Sequence, residues 1–181
     1  MKRYLRFVPL LVLYIIVVLS AAQNQFQGDE GRYVWFAENL AQGFYSPTDD
    51  INLWNGPGYP LILVPFVLLR IPWLYAKLLN VVFLWLAVIL LYQTLQFYVP
   101  ERAARLFAYV LGLYPSFLIE AHLLITESLT FLLIAAFAYY GRPWLVERWP
   151  ALDKIYVVLG IAETSPVEGL VLEGVNGMRN A

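Results

Sequence analysis

The sequence predicts an all-α polytopic membrane protein with about four transmembrane helices, an interfacial amphipathic helix and a short re-entrant or interfacial helix. Hydrophobic residues make up 61% of the 181-residue chain and charged residues only 14%, whereas a soluble domain carries about 25% charged residues. Several apolar stretches approach or reach the roughly 20 residues of a membrane span. Polar and charged residues gather in the segments between these stretches.

The first predicted element is a membrane-inserting segment at residues 7–22. It follows three basic residues, Lys2, Arg3 and Arg6. Because basic flanks stay in the cytoplasm, we expect the N-terminus inside and the chain from residue 23 outside. The small residues at 20–22 also resemble a signal-peptide cleavage site, but further spans follow, so a retained anchor is the preferred interpretation.

A polar, aromatic-rich loop at residues 23–60 is expected outside the membrane. Asp29 and Glu30 follow the first span closely, and ionised carboxylates are costly in hydrocarbon, so both should lie at the water boundary. Apolar residues then recur with helical spacing, which predicts an amphipathic helix lying on the bilayer and ending at Gly43. These residues are Tyr33, Phe36, Ala37 and Leu40. The glycines and prolines of residues 56–60 predict a rigid bend.

The later apolar stretches complete the predicted topology. Residues 61–69 are too short to cross and predict the re-entrant or interfacial helix, whereas residues 78–99, 106–118 and about 130–140 are expected to cross. This arrangement places eight basic residues inside (2, 3, 6, 102, 105, 142, 148, 154) and three outside (32, 70, 77). The bias favours a multi-pass protein of the cytoplasmic (inner) membrane with a cytoplasmic N-terminus. Residues 1–145 form the predicted membrane domain, and 146–181 a cytoplasmic linker with a partial, atypical C-terminal segment.

Composition also excludes several classes of function. A net charge of −1 argues against a nucleic-acid partner. The absence of cysteine excludes disulfides and thiol catalysis, and a single histidine excludes a His-rich metal site. A divalent cation held by carboxylates is not required by the sequence and is left open, as is the oligomeric state.

The order of several short motifs resembles a known family over about residues 1–145. The motifs are Gly28-Asp29-Glu30, the aromatic helix at 33–40, Gly56-Pro57-Gly58-Tyr59-Pro60-Leu61, Leu78-Leu79-Asn80, Arg102-Ala103-Ala104, Tyr114-Pro115 and Thr126-Glu127-Ser128-Leu129. Together they resemble the C-type superfamily of membrane glycosyltransferases, in the dolichyl-phosphate-mannose-transferase-like and RgtA/B/C/D-like group. The resemblance implies a polyprenyl-phosphate sugar as donor and an Asp29 that acts on the acceptor. Because family members are longer, it also predicts a truncated product whose independent activity is open.

The candidate catalytic residues are Asp29, Glu30 and Glu127. Glycosyl transfer with inversion needs a base for the proton of the acceptor hydroxyl, and Asp29 at the water edge suits that role. Glu127 could orient the acceptor or share a divalent ion with Asp29. The alternative is structural, because an acidic residue ahead of a helix caps its free N–H groups and complements its dipole.

Substrate-binding candidates lie on the same predicted surface. Arg32, Arg70 and Lys77 could bind the donor phosphate, although snorkelling to the interface would explain such cations equally well. Trp54 and Tyr59 could stack on a sugar, and an interfacial aromatic belt is the alternative. The expected partners are a lipid-linked sugar donor and membrane lipids. The competing hypothesis for the whole chain is a non-catalytic membrane scaffold or lipid-binding subunit.

Overall fold

A computed structural model of the chain describes residues 4–23, 25–47, 51 and 55–142. The all-α prediction is confirmed for these residues, which contain helices and no strand. A 3₁₀ turn (Tyr4–Phe7) leads into α1 (Val8–Ala21), followed by α2 (Glu30–Ala41), α3 (Gly58–Leu68), α4 (Trp73–Leu95), α5 (Glu101–Gly112), α6 (Pro115–Glu120) and α7 (Glu127–Tyr140). Trp54 and the predicted segment 146–181 lie outside the described residues.

In the part of the chain that the structure describes, two helices are long and apolar enough to cross a membrane. The first is the continuous helical stretch Tyr4–Ala21, with 18 residues, and the second is α4, with 23 residues. At 1.5 Å per residue α4 is about 35 Å long, which exceeds the roughly 30 Å of a bilayer core. It begins five residues before the predicted span at 78–99, so the predicted loop residue Lys77 lies inside the helix.

The predicted span at residues 106–118 is wrong as a single helix. The structure divides it between α5 and α6, because Tyr114 is extended and Pro115 occupies the first turn of a new helix. Proline has no N–H to donate and its ring clashes with the preceding turn, which favours an interruption of the helix here. The last predicted span is α7, whose 14 residues give about 21 Å of helix. Four membrane-spanning helices are therefore not confirmed by length in the described ranges.

The long helix α4 packs against α1, α5 and α7. Helices α1 and α4 run antiparallel: Phe7 lies 5.0 Å from Tyr92 between ring centroids, and Trp85 Nε1 donates a hydrogen bond of 2.9 Å to Phe7 O. Helix α5 comes close to both at Gly112, whose carbonyl accepts a 2.6 Å hydrogen bond from Tyr14 Oη. A Cβ atom at Gly112 would lie 2.9 Å from Leu10 Cδ1, so a larger residue here would require the neighbouring side chains to shift.

Helices α2 and α3 form a second packed pair beside α4. The predicted amphipathic helix is present, and Tyr33, Phe36 and Ala37 are buried. Tyr33 and Ala37 pack with residues of α3, of α4 and of the segment before α7, so α2 buries its apolar face against protein instead of laying it on lipid. The helix ends as predicted at Gly43, whose φ of +94° is the left-handed conformation that glycine adopts after a helix.

The two ends of the helix bundle differ in charge. The Arg6 end contains the start of α1, the ends of α4 and α7 and the start of α5. At this end Arg6 forms an ion pair with Glu101, and the Arg142 guanidinium lies 4.4 Å from the Phe97 ring centroid. The Glu30 end is where α1 finishes and α4 and α7 begin. It carries Asp29, Glu30, Lys77 and Glu127, which places the predicted catalytic residues together at one end.

Candidate functional site

Glu30 is the most enclosed polar residue at the Glu30 end, with 0% of its surface exposed. Its Oε1 lies 3.1 Å from Lys77 Nζ and accepts a 2.8 Å hydrogen bond from the backbone N–H of Leu124. Its Oε2 accepts a 2.8 Å hydrogen bond from the backbone N–H of Gln27. The prediction that Glu30 lies at the water boundary is therefore wrong, because these three donors compensate the carboxylate inside the protein.

Lys77 forms the other half of this buried ion pair. It is 2% exposed, and Nζ also donates to Gln23 O at 3.3 Å. The prediction of a surface lysine that binds a donor phosphate is thus wrong in its location. A buried ammonium must be paired, and Glu30 already fills that role.

Tyr59 is buried as well and belongs to a neighbouring hydrogen-bonded group. Asn80 Nδ2 donates to Tyr59 Oη at 2.8 Å and to Leu123 O at 3.0 Å. Burial raises the pKa of the Tyr59 phenol, and the charges of Glu30 and Glu127 add to the rise. Tyr59 therefore does not present a free ring face for sugar stacking, and its predicted binding role gives way to a packing role.

Asp29 is the exposed member of the acidic pair. Its carboxylate lies 3.2 Å from Arg32 on the next turn, and about half of each side chain is open to solvent. Arg32 also approaches Asn55 Oδ1 at 3.4 Å. Although Asp29 occupies the N-cap position of α2, its side chain makes no cap hydrogen bond. If Asp29 has only a structural role, that role is therefore the favourable interaction of its negative charge with the dipole of α2.

Glu127 and Arg70 are also exposed. Glu127 lies in the first turn of α7 and close enough to Tyr59 for its charge to oppose ionisation of the phenol. Arg70 stands in the turn between α3 and α4 with φ +52°, a left-handed conformation that is strained for a residue other than glycine. Its side chain makes no ion pair within the described residues. Both groups are thus accessible to a ligand.

A cavity of about 370 Å³ opens at the Glu30 end between the last turn of α1 and the first turns of α4. Its wall combines apolar residues, among them Leu19, Phe26 and Trp73, with the polar residues Gln23 and Lys77. Phe26 and Trp73 meet edge to face, with ring centroids 5.9 Å apart. Such a mixed wall suits an amphiphilic ligand better than a wholly polar one.

The arrangement separates the seven described residues of the predicted site into two groups. Asp29, Arg32, Arg70 and Glu127 are exposed, whereas Glu30, Tyr59 and Lys77 hold the fold; Trp54 is not described. An exposed carboxylate can accept a proton, and exposed guanidinium groups can bind a phosphate. No group of three or more histidine, aspartate or glutamate residues that could hold a metal ion is found in the described part.

Asn80 and His122 are two further polar residues at this end that the sequence analysis did not name as candidate site residues. Asn80 entered only through the motif Leu78-Leu79-Asn80, although an amide inside an apolar helix is itself a signal of a buried hydrogen bond. His122, the single histidine of the chain, has an enclosed Nδ1 with no hydrogen-bond partner among the described residues. Comparisons with protein families, with curated proteins and with solved structures find no match for this chain.

Proposed function

We propose that this chain takes part in transferring a sugar from a polyprenyl-phosphate carrier to an acceptor hydroxyl at the outer face of a membrane. The observation that carries the proposal is the exposed Asp29 carboxylate, which shares one end of the bundle with exposed Glu127 and Arg70. The cavity beside Lys77 adds a mixed apolar and polar wall near this end. The resemblance of the motifs in residues 1–145 supplies the reaction class.

In the proposed reaction Asp29 takes the proton of the acceptor hydroxyl. The acceptor oxygen forms a bond to the anomeric carbon, and the bond between that carbon and the carrier phosphate breaks. An exposed cation stabilises the departing phosphate. Arg70, which makes no ion pair with any other described residue, is the candidate at the turn before α4. Because phosphate is a good leaving group, no general acid is needed, so a single ionised carboxylate is sufficient.

The proposed membrane arrangement has four crossings with the Glu30 end outside. Helices α1 and α4 supply two, α5 with α6 the third and α7 the fourth. Residues 101–120 together have the length of one crossing, although the helix is interrupted at Tyr114. Support comes from the Arg6 end, which carries Arg6, Arg102, Arg105 and Arg142, because basic residues favour the cytoplasmic side.

The test of the catalytic assignment is Asp29→Asn, with the chain reconstituted in vesicles that contain a polyprenyl-phosphate hexose. We expect the rate of sugar transfer to fall by about 10²–10⁴-fold, the usual range for loss of a general base. Glu38→Gln is the matched control, because Glu38 is an exposed carboxylate on the same helix and should leave the rate unchanged. Full transfer by the Asp29→Asn variant would refute the role of Asp29.

A second candidate function is a non-catalytic membrane scaffold or lipid-binding subunit. It is favoured by the finding that Glu30, Lys77 and Tyr59, three predicted site residues, are buried in contacts that join helices. This hypothesis predicts no transfer by the wild-type chain in the same vesicles. Transfer that depends on Asp29 would exclude it.

A further inference from the structure

The buried Glu30 carboxylate joins parts of the chain that are far apart in sequence. Both of its oxygens are occupied: Oε1 by Lys77 Nζ and Leu124 N, and Oε2 by Gln27 N. With 0% exposure it has no open path to a substrate. Glu30 therefore cannot take a proton from an acceptor in this arrangement, although it neighbours the predicted base.

The two segments held by Glu30 are those that carry the exposed carboxylates. Glu30 directly follows Asp29, and Leu124 stands three residues before Glu127 at the start of α7. A second tie acts on the adjacent residue, since Asn80 Nδ2 donates to Leu123 O at 3.0 Å. Thr126, by contrast, provides no side-chain cap for α7. The start of α7 is thus held by side chains from α2 and α4.

We propose that Glu30 is a positioning residue that fixes Asp29 and Glu127 relative to each other through its hydrogen bond from Leu124 N. Lys77 balances the charge of Glu30 and so allows the carboxylate to occupy the interior. Buried ion pairs can often be replaced by apolar residues without loss of stability. Variants without either charge can therefore test whether the hydrogen-bond acceptor for Leu124 N matters by itself. The catalytic roles of Asp29 and Glu127 rest on the proposed function. The claim that Glu30 fixes their relative position does not.

The test compares two neutral replacements of the ion pair. Glu30→Gln with Lys77→Met keeps one oxygen that can accept from Leu124 N, while its NH₂ group replaces the oxygen that accepts from Gln27 N. Glu30→Met with Lys77→Met has similar volume and no acceptor for either N–H. Nitroxide labels are placed on Glu38→Cys in α2 and Thr130→Cys in α7, both exposed positions in a chain without native cysteine. Double electron–electron resonance then measures the distance distribution between the two labels.

We expect the Gln pair to keep the narrow wild-type distribution and the Met pair to broaden or shift it, at matched melting temperatures. In the transfer assay the Met pair should lower the rate and the Gln pair should restore most of it. If the Met pair does not fold, Glu30→Asp replaces it, because its shorter carboxylate is drawn back from Leu124 and should broaden the same distribution.

An unchanged distribution in the Met pair, or in Glu30→Asp when that variant is used, would overturn the positioning role. Loss of the narrow distribution in both neutral pairs would also overturn it, because the acceptor would then not be the decisive feature. Absence of sugar transfer by the wild-type chain counts against the proposed function alone. The distance measurement still decides the role of Glu30 in that case.

Discussion

At the scale of single residues, adjacent acidic side chains have opposite environments. Asp29 is open to solvent beside Arg32, while Glu30 is enclosed with Lys77. A helix turns by about 100° per residue, so neighbours at its start can face water and core respectively. The pattern of residue types predicts that carboxylates lie at this point of the chain, but which of the two turns inward depends on Leu124 and Lys77, which are distant in sequence.

The ion pair leads to a prediction about stability. Lys77→Met leaves the Glu30 charge buried without its ionic partner, and we expect it to lower the free energy of unfolding by about 3–5 kcal/mol. Adding Glu30→Met to Lys77→Met should restore most of that loss, because no charge then remains in the interior. Chemical denaturation in detergent measures both values. Equal stability of the single and double variants would contradict the account.

At the scale of elements, composition and periodicity predict the helices well and their limits less well. The amphipathic spacing of residues 33–40 predicts α2 and its apolar face, and Gly43 marks its end. The interruption at Pro115 was missed because a single proline in an apolar stretch does not decide between a kink and a new helix. Burial of α2 against α3 depends on tertiary packing, which no local pattern contains.

The contact at Gly112 gives a prediction for helix packing. Gly112→Ala places a methyl group 2.9 Å from Leu10 Cδ1 and 3.0 Å from Tyr14 Oη, so these side chains or the helices that carry them must shift. We expect a loss of about 1–3 kcal/mol in the free energy of unfolding, as for other overpacked cores.

Gly58→Ala is the matched control for this contact. A Cβ atom at Gly58 meets no atom within 4 Å, and the residue lies at the start of α3. Its replacement should therefore leave stability unchanged or raise it slightly by restricting the unfolded chain. If Gly112→Ala were as stable as Gly58→Ala, the close approach of α1 and α5 would not exist as described.

At the scale of the whole molecule, the two ends of the helix bundle carry different sets of charged residues. The Arg6 end gathers four arginines beside Glu101. The Glu30 end gathers Asp29, Glu30 and Glu127 together with the cations Arg32, Arg70 and Lys77. The sequence predicts this separation through the alternation of basic and acidic segments between apolar stretches. It does not predict that Lys77 and Tyr59 are buried, because their partners Glu30 and Asn80 meet them only in the folded chain.

The central claim is that Asp29 and Glu127 share one side of the membrane, opposite Arg102. Single replacements Asp29→Cys, Glu127→Cys and Arg102→Cys each introduce the only thiol of the chain, at exposed positions. A membrane-impermeant maleimide applied to intact cells should label positions 29 and 127, and should label position 102 only after permeabilisation. Labelling of 29 and 127 from opposite sides would contradict the shared reaction centre.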